Sequence, residues 1–141
     1  MLRSFLVLSL FALVTACAQT PKTEAPPPLM DTTWRLVRLD GREIPAEARA
    51  EPEPAHLRLA QEGRVTGSNG CNRFFGQYRQ TGDRIEFAAL ASTRRACLPG
   101  RETVEGAFMK ALGDTRGWKQ QGRFLRFYGT AERPLMEMEA K

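Results

Sequence analysis

The feature that most constrains the fold is a period of two that recurs in short runs. TTWRLVRLDG sets Trp34 and Leu36, with Arg38, on one parity and Arg35, Val37 and Leu39 on the other. It then closes in an Asp40-Gly41 turn. AHLRLAQEGRVTG aligns Leu57 and Leu59, turns at Glu62-Gly63 and begins another run. RFFGQYRQTGDRIEFAAL holds two more around Thr81-Gly82-Asp83, with Ile85 and Phe87 on one face. RFLRFYG and LMEMEA close the chain, the second with Met136 and Met138 together opposite Leu135 and Glu137. Alternating, β-branched and aromatic runs bounded by turn residues are strands, and short strands at this spacing predict an antiparallel sandwich or barrel.

One segment follows a different period. In RETVEGAFMKALGD the apolar residues Val104, Ala107, Phe108, Ala111 and Leu112 fall on one helical stripe. The stripe predicts a core-facing helix with Gly113 as its C-cap. The chain has 141 residues, enough for one domain, and its 12 Gly and 9 Pro favour turns over long helices.

The N-terminus reads as a targeting segment. MLRSFLVLSLFALVTAC has Arg3, an apolar run from Phe5 to Val14, then small residues, the layout of a secretory signal peptide. The run is too short for a membrane span, which takes about 20 residues. Val14-Thr15-Ala16-Cys17 resembles the lipobox of bacterial lipoproteins, which implies cleavage after residue 16 and a lipidated Cys17. Acyl chains there make a stable anchor, because each buried CH₂ contributes about 0.8 kcal/mol. Ala18 follows in place of the Asp that commonly retains such proteins at the inner membrane. The expected location is therefore the periplasmic face of the outer membrane.

Residues 17–30, with Pro26-Pro27-Pro28, are too poor in large apolar side chains to build a core and read as a tether. Extended Pro-rich chain of a dozen residues reaches roughly 35 Å. The folded domain is expected over residues 31–141. The net charge is +5, spread along the chain without a run of five like charges, so no nucleic-acid arm is read.

With Cys17 lipidated, Cys71 and Cys97 remain, in a compartment where disulfides persist. Their bridge closes a loop of about 27 residues, which stabilises by roughly 3–4 kcal/mol. Competing chemistry finds less support. A cysteine nucleophile needs a base, and the single histidine, His56, has no motif around it. Zinc takes four Cys/His ligands, commonly with a C-x-x-C clip; two thiols and one His fall short. Asn69 and Asn72 flank Cys71 without a nearby carboxylate for calcium. The acids lie in the tether, the 47–53 loop, the helix and the last strand, where solvated faces account for them. No phosphate loop or hydrolase motif occurs, and no cofactor is implied. Phe74, Phe75 and Tyr78 have the spacing of a strand with a bulge or turn at Gly76.

Trp34-x-Leu36, then GSNGCNRFFGQY from Gly67 to Tyr78, then STRRAC from Ser92 to Cys97, then the helix and the terminal strand pair, resemble the META/HslJ domain family. The resemblance implies a mainly β domain: an antiparallel, cracked, barrel-like sheet of lipocalin-like topology with one packed helix. It also implies a bacterial envelope protein. Family members include heat-inducible proteins, some linked to novobiocin tolerance, and no enzymatic activity is established among them. Arg95 departs from the pattern, which has an apolar residue there, so Arg95 is expected to turn outward. The functional expectation is a non-catalytic anchored domain that binds another envelope component under stress. Asn69, Asn72, Arg73 and Arg94 are its candidate contact surface, and Asn69-Gly70 and Asn72 also suit turn chemistry. The alternatives are a carrier of a small ligand or lipid inside the barrel and a thiol or redox protein.

Overall fold

A computed structural model of the chain describes residues 25–97 and 102–141. The signal segment, Cys17 and the first part of the tether lie outside these residues.

Among the described residues, nine strands form one antiparallel sheet: β1 Thr33–Leu39, β2 Arg42–Glu43, β3 His56–Ala60, β4 Arg64–Ser68, β5 Arg73–Thr81, β6 Arg84–Ser92, β7 Gly117–Gln121, β8 Phe124–Tyr128 and β9 Pro134–Ala140. A short helix, α1 Ala46–Arg49, precedes β3, and a long one, α2 Glu102–Asp114, joins β6 to β7. Each strand after β2 pairs with the next, and β9 returns to β1, so the sheet closes into a ring. The ring is not a regular barrel. Its seam lies between β6 and β7, which share the single residue pair Arg84↔Gly117. The alternation and the helical stripe predict a mainly β domain with one packed helix, and the open seam matches the cracked, barrel-like sheet that the family resemblance implies.

All seven strands read from the alternation are present. Two more appear where the pattern carries no alternation: β2 has two residues, and β7, GWKQQ, holds one large apolar side chain, the half-buried Trp118. Bulges explain where strict alternation fails. An extra residue at Val37 shifts the β1–β9 register between Leu36 and Arg38, so Leu39 joins Trp34 and Leu36 in the core. A second shift, at Gln77↔Ala88, puts the extra residue on β6, where Ala89 has φ 50°. Gly76 stands opposite, and a Cβ there would lie 2.8 Å from Leu90 Cδ2. The anticipated irregularity at Gly76 is thus a bulge in its partner strand, and glycine makes room for it.

Helix α2 covers one end of the ring. Val104, Phe108, Ala111 and Leu112 face the core as the stripe predicts, whereas Ala107 is exposed. The expected cap at Gly113 is not used: the helix runs through it to Asp114. Thr115 ends it instead, its N–H donating to the Leu112 carbonyl (3.2 Å) and its Oγ1 to that of Ala111 (2.7 Å).

Side chains fill the interior. Trp34, Phe74, Phe108 and Phe127 are almost fully buried among Leu36, Leu57, Leu59, Ile85, Leu112, Leu125, Met136 and Met138. Phe74 meets Phe108 edge-on at 5.8 Å, and Phe87 meets Phe127 at 5.6 Å. Such pairs contribute about 0.5–1.5 kcal/mol beyond burial. The domain's contacts reach back into the Pro-rich segment. Leu29 packs on the core and its carbonyl accepts from Trp34 Nε1 (2.9 Å), while Gln120 Nε2 donates to the Pro27 carbonyl (2.7 Å).

Candidate functional site

Three segments meet at one rim of the ring: the turn between β4 and β5, the stretch after β6, and the first turns of α2. Gly70, with φ 94°, takes the left-handed conformation that the turn needs. Asn69 sits just before it and closes the turn with its side chain. Its Oδ1 accepts from the N–H groups of Cys71 (3.1 Å) and Asn72 (2.7 Å), and its own N–H donates to the Asn72 carbonyl. Asn72 then reaches across to the stretch after β6. Its Oδ1 accepts from Arg95 N–H (2.7 Å) and Thr93 Oγ1 (2.9 Å).

Cys71 and Cys97 are joined in a disulfide, their Cα atoms 5.6 Å apart. The bridge ties the same two segments that Asn72 clasps.

The third segment contributes Glu105, half-buried on α2. Its Oε1 accepts from Asn69 Nδ2 (3.1 Å) and Asn72 Nδ2 (2.9 Å). Its Oε2 lies 2.9 Å from Cys97 Sγ. One carboxylate thus anchors the helix to both asparagines, more than thirty residues earlier in the chain. From the sequence alone Glu105 is expected on a solvated helix face. Its flanking position was a usable signal, since it lies three and seven residues before Phe108 and Leu112, at the edge of the apolar stripe.

The expected contact surface changes accordingly. Asn69 and Asn72 are 0% and 2% exposed, so neither can meet a partner; their amides are used up in holding the rim. Arg73 and Arg94 are exposed. Arg73 pairs with Glu53 at 2.8 Å, and Arg94 has no ion-pair partner among the described residues. Arg95 turns outward as the departure from the family pattern requires, and its Nη2 donates to the Cys71 carbonyl (2.8 Å). The Arg73 hydrogen bond holds the Glu53 carboxyl below its ordinary value, against an opposing desolvation and with the help of the Arg73 charge. His56 is occupied locally, its ring donating to the Pro54 carbonyl at 2.8 Å.

Two hollows adjoin the disulfide. A groove of about 330 Å³ runs past Glu51, Glu53, Cys71, Arg95 and Cys97. Beyond Gly70 an apolar recess of about 190 Å³ is lined by Ile44, Pro45, Ala48, Ala55 and Val104.

The family model for the META domain matches residues 27–141. No curated protein matches the chain. Similar solved structures include the NMR structure of a protein from Burkholderia xenovorans, 25% identical, with a TM-score of 0.61 over 87% of this chain and 97% of that one. A crystal structure of a DUF4847 family protein from Bacteroides vulgatus is 14% identical, with a TM-score of 0.55 over 79% and 93%. A second NMR structure, 16% identical with a TM-score of 0.59 over 77% and 87%, shares the fold. Neither the family nor these neighbours indicates a catalytic activity.

Proposed function

The chain belongs to the META domain family, and from that premise we propose that it is a non-catalytic binding domain. In this reading Cys17 carries lipid, the Pro-rich segment up to residue 30 is the tether, and the domain works at the periplasmic face of the outer membrane. There it contacts another envelope component and supports envelope integrity under stress or antibiotic exposure.

The observation that carries the reading is the construction of the disulfide rim. Exposed Arg73, Arg94 and Arg95 stand on two segments immobilised by a disulfide, two buried asparagines and a helix carboxylate. Preorganised groups bind with little loss of entropy, and a groove and an apolar recess lie beside them. The filled ring speaks against the carrier alternative. The apolar recess sits at the rim, and its volume is below the 300 Å³ or so at which small-molecule pockets begin.

The test is a photo-crosslinking residue placed at Arg94 in the full-length protein, irradiated in intact cells. A discrete adduct that vanishes with Arg95→Glu supports a contact at this rim. Labelling no stronger than from a site on the far side of the ring, such as Arg126, sinks the reading. Cys17→Ser should release the protein from the membrane fraction; if it stays there, the anchor is wrong.

A further inference from the structure

We propose that reduction of the Cys71–Cys97 disulfide uncovers a site for one thiophilic divalent cation, Zn²⁺ being the natural occupant. The ligands are the two thiolates and a carboxylate oxygen of Glu105. The inference does not depend on the anchor or on a binding partner.

The geometry comes first. One ligand atom from each of Cys71, Cys97 and Glu105 falls within 4.8 Å of the other two. Three protein ligands and a water give the four-coordinate arrangement that zinc accepts when one position stays open. Thiolate sulfur and carboxylate oxygen are both established zinc donors. The sequence hides the site because its third ligand arrives on a helix, where spacing relative to cysteines carries no signal.

The amides of Asn69 and Asn72 hold Glu105 Oε1, which turns Oε2 toward the sulfurs. A disulfide sulfur carries no hydrogen, so Oε2 receives no N–H or O–H donor among the described residues. Among the described residues no cation stands against this half-buried carboxylate oxygen aimed at the sulfurs, and a bound metal ion supplies one. Asn72 Nδ2 also lies 3.4 Å from Cys71 Sγ and 3.8 Å from Cys97 Sγ. Hydrogen-bonding neighbours of this kind orient metal ligands and raise affinity. Two thiolates, one carboxylate and a divalent ion leave one excess negative charge, and the Arg95 guanidinium, bonded to the Cys71 carbonyl, stands beside it. The groove past Cys71 and Cys97 provides the entry path.

The chemistry balances. A dithiol reductant supplies two electrons and two protons; the S–S bond breaks, two S–H bonds form, and the dithiol leaves as its own disulfide. Metal binding then displaces both thiol protons to solvent. The cross-link between the two segments is exchanged for a metal bridge.

The test uses the folded protein reduced with a phosphine that does not bind metals, titrated anaerobically with Co²⁺ as the spectroscopic probe. One equivalent should bind, with sulfur-to-cobalt charge-transfer absorption and tetrahedral ligand-field bands, and Zn²⁺ should displace it. The oxidised protein should show neither band. Glu105→Gln should weaken binding by roughly tenfold or more, and Cys97→Ser should abolish the charge-transfer band. Circular dichroism is recorded alongside. If reduction loosens the protein, recovery of the native spectrum on adding Co²⁺ supports the site. Reduced protein that gains neither the band nor native structure overturns it, as does Glu105→Gln binding as tightly as the natural chain.

Discussion

Asn69 and Asn72 use both ends of their amides, which is why they are asparagines. The Asn69 carbonyl oxygen takes two backbone N–H groups of its own turn, that of Asn72 takes the Arg95 N–H and the Thr93 hydroxyl, and both NH₂ groups donate to the Glu105 carboxylate. Alanine at 69 leaves the half-buried Cys71 N–H and the buried Asn72 N–H without their side-chain acceptor, and Glu105 Oε1 with one amide donor instead of two. The expected loss is roughly 2–4 kcal/mol, read from the shift in a urea unfolding midpoint; a shift near zero would mean the clasp is dispensable. Glu53 makes a pH-dependent prediction. Its folded value lies below the ordinary 4.5 because Arg73 donates to it. The pair's contribution is therefore complete above the ordinary value and is lost as pH falls through the folded one. Glu53→Gln should remove that acid-side decline from a plot of stability against pH and leave the neutral region almost unchanged, since the pair is solvent-exposed. At this scale the two cysteines and the turn asparagines were legible from spacing and turn chemistry. The carboxylate that joins them was not, because a helix period tells which face is apolar and not which loop the flanking residue will meet.

The elements are governed by where a side chain has room. A Cβ on Gly67 would stand 2.1 Å from the His56 carbonyl oxygen of the neighbouring strand and 2.7 Å from the Phe74 ring. Backbone cannot move aside cheaply, so Gly67→Ala should cost about 3 kcal/mol, the upper end of what overpacking costs. Gly106 is the opposite case, exposed in mid-helix with nothing within 4 Å of the added atom. Gly106→Ala should gain about 0.5–1 kcal/mol. Thermal melts of the two variants should move in opposite directions, and a shared direction would contradict this account of α2 and β4. Strands with a clear period of two were legible, as was the helical stripe. The register shifts at Val37 and Ala89 were not, because a bulge depends on two strands at once. Strand β7 escaped notice for a related reason: its place is set by pairing with β8 along its whole length, and its own polar sequence has no preferred face.

At the scale of the whole molecule, helix α2 bridges the weakly paired seam between β6 and β7, and the Cys71–Cys97 link ties the stretch after β6 to the β4–β5 turn. The Cys71–Cys97 link spans 26 positions, and its removal by paired alanine substitution should lower stability by roughly 3–4 kcal/mol. For a domain of this size the melting temperature should fall on the order of 10–15 °C, seen equally in the natural protein after reduction without metal. Closure of the ring was legible only as an expectation of barrel or sandwich, since alternation says that a sheet has one dry face and not how its edges meet. The meeting point has its own consequence. β9 lies against β1, and the N–H of Lys141 donates to the carbonyl of Thr33 at 3.0 Å. Where the folded domain starts and where it stops are thus neighbours across one hydrogen bond. A short linker from Lys141 to Pro27, with new ends cut in the exposed turn between Tyr128 and Pro134, gives a circular permutant with the same ring. It carries the Pro-rich lead on the opposite rim and so reverses which side of the domain faces whatever the lead is tied to.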